Sequence, residues 1–106
     1  MKKLALAAAL LLTSGYVATA EAAGDADAGH KLAQVWCTSC HIVDDAPQGA
    51  DTAPPFPSIA KRHQDRAWIR AWLNSPHPPM PNLNLSRQQI DDVIAYLDSL
   101  KPERMR

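Results

Sequence analysis

The feature that most constrains this chain is a short motif, Cys37-Thr38-Ser39-Cys40-His41. Two thiols at this spacing can add to the two vinyl groups along one edge of a porphyrin and form two thioethers. The histidine that follows is then held beneath the ring, where its imidazole can bind the iron. The C-x-x-C-H pattern therefore predicts one covalently attached haem c, with Cys37 and Cys40 as attachment points and His41 as an axial iron ligand.

Three other interpretations of the cysteines stay open at this point. A thioredoxin-like redox pair would need a strand-helix-strand context, which the sequence does not show. A structural zinc site has four protein ligands, and the chain has only two cysteines. A plain structural disulfide of an exported protein is the third alternative.

The N-terminus predicts export. Lys2 and Lys3 precede an apolar run of Leu and Ala residues, and Ala18-Thr19-Ala20 offers small residues to a signal peptidase. We expect a signal peptide over residues 1–20, with cleavage after Ala20 and Ala22 as the next best site, and a single domain over residues 21–106. The run is too short to span a bilayer. The predicted location is the periplasm, with no membrane anchor in the mature protein.

Charge and composition exclude some classes of function. The chain has 11 basic and 11 acidic residues, and cleavage would remove two lysines and leave a mildly acidic domain. No basic excess suggests binding to nucleic acid. A domain this small has only a thin hydrophobic core. A large apolar cofactor at its centre would add the buried apolar surface that the side chains alone do not provide.

Residue patterns predict an all-helical domain with about three main helices. The first runs from Asp25 to about Ser39, and the second covers residues 65–74 with Asp65 as its cap. In the second helix, Trp68, Ile69, Trp72 and Leu73 form one apolar face. The third follows a capping box of Ser86 and Gln89. Its apolar positions recur at helical spacing, at Ile90, Val93, Ile94, Leu97 and Leu100.

The rest of the domain has two further features. Residues 42–58 are rich in turn residues and prolines, and we expect irregular backbone there, because Pro54-Pro55-Phe56-Pro57 is unsuited to a regular helix. Arg62, Arg66 and Arg70 recur every four residues, which indicates either a docking stripe for an acidic partner or an ordinary solvated helix face.

A second axial ligand is predicted in the proline-rich loop between the second and third helices. Met80 lies there between prolines, and a stiff loop suits a soft thioether that must reach iron in one geometry. His77, on the same loop, is the main rival. His30 lies too close to the attachment motif in sequence to reach over the porphyrin ring. We expect His63 to face solvent.

Taken together, these residues resemble the small class I cytochromes c of bacteria. The likeness rests on Cys37–His41, on Met80 in its proline loop, on Gly29 and on the segments Ala53-Pro54-Pro55-Phe56 and Ile94-Ala95-Tyr96-Leu97. It implies a helix crossing that pairs Gly29 with Tyr96, and a Pro54 carbonyl that accepts a hydrogen bond from His41. Ala53 stands where the family has glycine.

The sequence is compatible with three classes of function. With both axial positions filled, the resemblance implies a monomeric one-electron carrier that meets redox partner proteins transiently and is not an enzyme. A haem enzyme or gas sensor would need an open sixth position. A haem-free thiol or disulfide protein is the third possibility.

Overall fold

The computed structural model describes residues 14–15, 24–44, 49–63 and 65–101. The predicted signal peptide therefore lies outside the described residues, apart from positions 14 and 15. Within the described part every regular element is a helix, which confirms the all-α prediction. No helix there combines the length and apolar character needed to cross a membrane. The helices are α1 (Ala26–Trp36), α2 (Phe56–Arg62), α3 (Arg66–Asn74) and α4 (Arg87–Ser99).

Helix α1 begins at a side-chain cap and ends just before the cysteine motif. The Asp25 carboxylate accepts from the backbone N–H groups of Asp27 and Ala28. The helix ends at Trp36, earlier than predicted, and the motif forms a turn in which the His41 N–H donates to the Cys37 carbonyl at 2.8 Å. The motif is therefore attached directly to the end of a rigid element.

Helix α4 supplies most of the core. The predicted capping box is present, with Ser86 and Gln89 each accepting from the other's backbone N–H. Leu100 lies just past the helix and packs partly buried against the core. The predicted apolar positions are confirmed as the inward face. The buried cluster comprises Ala33, Val43, Phe56, Ala60, Ile69, Ile90, Val93, Ile94 and Leu97.

The crossing of α1 and α4 is close enough to exclude a side chain at Gly29. A β-carbon there would lie 1.9 Å from the carbonyl oxygen of Asp92, so the predicted contact glycine is confirmed. The nearest atoms are α4 backbone, however, and not the Tyr96 ring that the resemblance implied. The Tyr96 ring instead lies 4.6 Å from that of His30, and its hydroxyl donates to the Val43 carbonyl at 2.5 Å. Tyr96 thus ties the chain after the motif to the crossing.

Helix α2 corrects the prediction of irregular backbone through residue 58. Phe56 is its first residue and Pro57 lies in its first turn. The N–H groups of a first turn have no acceptor within the helix, so proline costs nothing there, and its fixed φ suits the helix. Phe56 and Ala60 are buried. The proline-rich stretch therefore begins a short helix and does not only wrap around the core.

The arginine pattern has a structural explanation that the sequence did not suggest. Arg66 forms an ion pair with Asp98 of α4, and Arg70 forms one with Asp91. Asp98 is 4% exposed and also meets Lys101 at 2.7 Å. Two of the three arginines therefore attach α3 to α4, and the stripe is not simply a solvated face.

Candidate functional site

A large apolar cavity lies between the end of α1, helices α2 to α4 and the proline-rich loop. Its volume is about 670 Å³, within the range of small-molecule and cofactor sites. The apolar face predicted for α3 lines it, with Trp68, Ile69, Trp72 and Leu73 all contributing. The cavity also brings together all five residues predicted for the site, namely Cys37, Cys40, His41, Pro54 and Met80.

The two cysteines differ in their surroundings. Cys37 is half-buried at the end of α1, Cys40 is exposed, and neither forms a disulfide. Burial raises the pKa of the Cys37 thiol to about 11, so at neutral pH it stays protonated. A redox-active pair depends on a lowered thiol pKa. The environment of Cys37 therefore disfavours the thioredoxin-like alternative.

His41 is oriented by a backbone carbonyl. Its Nδ1 lies 2.6 Å from the Pro54 oxygen, which can only accept, so Nδ1 carries the proton. That tautomer leaves the lone pair of Nε2 available to a metal. The Phe56 ring packs edge-on against the imidazole, with centroids 5.4 Å apart. The Pro54 carbonyl and the Phe56 ring therefore fix the orientation of the His41 ring and leave Nε2 as the nitrogen that could bind a metal.

The segment before Pro54 folds back onto the motif. The N–H of Ala53 donates to the Cys40 carbonyl at 2.9 Å and that of Ala50 to the Thr38 carbonyl at 3.0 Å. Ala53 does not adopt a positive φ, so alanine fits where the family has glycine. The glycine that the turn does require is Gly49, at φ 107° and against the His41 carbonyl. Sequence reasoning did not single out Gly49.

Met80 lines the same cavity. A turn brings its N–H to the His77 carbonyl at 3.1 Å. Its side chain is half-buried, and its Sδ accepts a hydrogen bond from the Trp72 indole N–H, with a nitrogen–sulfur distance of 3.0 Å. The predicted apolar face of α3 marked Trp72 as a packing residue, but nothing in the pattern indicated this bond.

The remaining histidines occupy distinct environments. His77 is exposed, lines the same cavity, and meets the Trp72 ring edge-on at 5.1 Å. His63 was expected to face solvent, but it is half-buried, lines the cavity and stacks on Trp68 at 3.9 Å. His30 pairs with Asp44 instead. His77 therefore stays near Met80, as the sequence predicted, with its ring packed on Trp72.

The donor set and the lining fit a haem better than they fit a zinc ion. In the described parts of the chain, no group of three or more His, Cys, Asp or Glu side chains could hold a metal ion. Among its lining residues the cavity offers the His41 imidazole nitrogen and the Met80 sulfur within a largely apolar wall. Histidine and methionine are an established axial pair for haem iron, and an apolar wall suits a porphyrin face.

Comparisons with known proteins find cytochromes among the relatives of this chain. Cytochrome c-552 of Bradyrhizobium diazoefficiens is 42% identical over an alignment of 81 positions that covers 73% of this chain and 78% of that protein. Cytochrome c4 of Azotobacter vinelandii is 37% identical over a gapped alignment of 111 positions that covers 88% of this chain. The chain spans only about half, 49%, of that cytochrome c4. No solved structure gives a significant match.

The family assignment rests on most of the helical domain. The family profile for Cytochrome c matches residues 26–101, from the start of α1 to just past α4. This confirms the resemblance stated from the sequence, and with it the expectation of an electron-carrier cytochrome and not an enzyme. Membership also implies a haem c cofactor. The chain belongs to the cytochrome c family.

Proposed function

We propose that this chain is a periplasmic one-electron carrier with a single covalently bound haem c. Cys37 and Cys40 supply the thioethers, and His41 and Met80 are the axial ligands. One observation carries the proposal: residues from the attachment motif and from the distant proline loop line one apolar cavity. Thiols, imidazole and thioether therefore border the same space, which supports the proposal that a porphyrin binds there.

The protein's own groups limit the chemistry to electron transfer. The bound iron would supply a ferric–ferrous couple. The Pro54 carbonyl holds His41 in the tautomer that can bind it. Met80 would be the second protein ligand of the iron, which would leave no place on it for a substrate. Methionine and an apolar wall both favour the less charged ferrous state and raise the reduction potential.

The N-terminal sequence supports the proposed location and the proposed removal of a signal peptide. Lys2, Lys3 and the apolar run that follows are typical of an exported protein. We propose that residues 1–20 are removed and that residues 21–106 act as a monomer in the periplasm. The domain would meet redox partner proteins transiently and would carry no membrane anchor.

The visible spectrum of the protein purified from a periplasmic fraction tests this proposal. Haem staining after denaturing electrophoresis and sharp low-spin bands on reduction are expected. A high-spin spectrum that shifts with carbon monoxide would instead indicate an open sixth position and a haem enzyme or gas sensor. A colourless protein would leave only the thiol or disulfide alternative.

A further inference from the structure

The indole N–H of Trp72 is directed at the sulfur of Met80. The nitrogen–sulfur distance is 3.0 Å, and both side chains are half-buried. An indole N–H can only donate, and when buried it usually finds a partner. A thioether is a weak acceptor. This bond therefore selects one orientation of the Met80 side chain.

The surrounding rings hold Trp72 in place. Trp68, one turn earlier on α3, stacks on Trp72 with centroids 5.5 Å apart and planes 12° from parallel. His77 contacts it edge-on at 5.1 Å, and His63 stacks on Trp68 in turn at 3.9 Å. The direction of the N–H is thus set by packing on both sides. We call these four residues the aromatic row.

We propose that Trp72 is a positioning residue that orients Met80 and tunes its bond to the haem iron. The proposal rests on the proposed role of Met80 as axial ligand. A thioether sulfur has two lone pairs, and the Trp72 N–H engages one of them and leaves the other for the metal. Donation to sulfur also withdraws electron density from it. Because ferric iron depends more on that density, the bond favours ferrous iron.

The test compares Trp72→Phe with Trp68→Phe in the holoprotein. Both variants remove an indole from the cavity wall, but only the first removes the N–H bonded to Met80. We expect Trp72→Phe to shift the equilibrium with a reference redox couple about two- to tenfold toward the ferric form. A shift of this size corresponds to the net free energy of one hydrogen bond. The shift for Trp68→Phe should be clearly smaller. The far-red charge-transfer band between sulfur and ferric iron should move in the first variant.

A second measurement follows the N–H itself. In the reduced, 15N-labelled holoprotein, with carbon monoxide bound to the variant so that its iron stays diamagnetic, Met80→Ala should displace the indole N–H resonance of Trp72 more than that of Trp68. If Trp72→Phe yields no holoprotein, benzothienylalanine at position 72 keeps the ring and replaces the N–H with sulfur, and the same redox shift is expected.

The outcomes separate this inference from the proposed function. A His/Met low-spin spectrum with equal shifts in the two tryptophan variants would reduce Trp72 to a packing residue and leave the carrier intact. Benzothienylalanine at position 72 that produces no redox shift would likewise overturn the positioning role alone. A protein that binds no haem would overturn both proposals.

Discussion

Two regions of this small domain are built in different ways. Where α1 crosses α4, backbones touch, and Ile90 and Ile94 are 1% and 4% exposed. Around the cavity the apolar side chains do not complete a core, since Trp36 is 57% exposed and Trp68 is 40% exposed. One region is closed by side chains, and the other has an apolar wall that faces a cavity of about 670 Å³.

The difference shows where the fold depends on its cofactor. The crossing combines a capped α1, a capped α4 and close-packed aliphatic residues. The cavity region relies on the aromatic row, the His41–Pro54 bond and a proline-rich loop. A group that binds the folded state stabilises it by mass action. We therefore expect mutations at the cavity to act through haem, and mutations at the crossing to act on stability directly.

The largest effect is expected from the attachment cysteines. Cys37→Ala or Cys40→Ala should lower the yield of mature holoprotein to a small fraction, because a thioether and the cofactor-stabilised wall are lost together. Haem staining after denaturing electrophoresis measures this, with Ser39→Ala as a control that keeps both thiols. A double cysteine variant that still stains would end the haem c assignment.

Substitutions of Met80 should change the ligand at the sixth position of the iron without loss of the haem. Met80→Ala should open the sixth position, lower the reduction potential and allow carbon monoxide to bind. Met80→His should stay low-spin at a lower potential, since imidazole favours ferric iron more than a thioether does. His77→Ala should leave the visible spectrum nearly unchanged. If His77→Ala alone abolishes the low-spin spectrum, the protein has two histidine ligands instead.

At the crossing, Gly29→Val should reduce the free energy of unfolding without altering the spectrum. Overpacking typically costs about 1–3 kcal/mol, and the upper part of that range is expected because the new side chain meets the Asp92 carbonyl. Thermal or denaturant unfolding measures it. Gln34→Val, at an exposed position of α1, controls for the helix propensity of valine. Equal stability of the two variants would contradict the close contact.

The smallest effect is expected where α3 joins α4. Arg66→Ala removes one partner of the buried Asp98, which keeps Lys101, so we expect a loss of about 1 kcal/mol. Arg62→Ala, at an exposed position on α2, is the control. Denaturant unfolding compares them. If Arg66→Ala leaves stability unchanged but slows electron transfer to an acidic partner at low salt only, the arginine acts in docking instead.

Local patterns predicted the helices whose signals lie within a few residues. Asp65 and the capping box of Ser86 and Gln89 mark the starts of α3 and α4, and both caps are present. Helix α2 was missed because its prolines resemble a break, while the burial of Phe56 and Ala60 that supports the helix comes from distant parts of the chain. Short helices are stabilised mainly by such packing.

The same distinction between local sequence signals and contacts with distant residues holds for the site. The sequence by itself determined the chemistry, because thiols, imidazole and thioether are properties of Cys37, Cys40, His41 and Met80 wherever they lie. Only the tertiary structure decided their geometry. The Trp72 N–H on Met80, the ion pairs of Arg66 and Arg70 with α4, and the backbone contact of Gly29 join residues that are apart in sequence. Such contacts depend on how helices cross, which no local pattern of residues encodes.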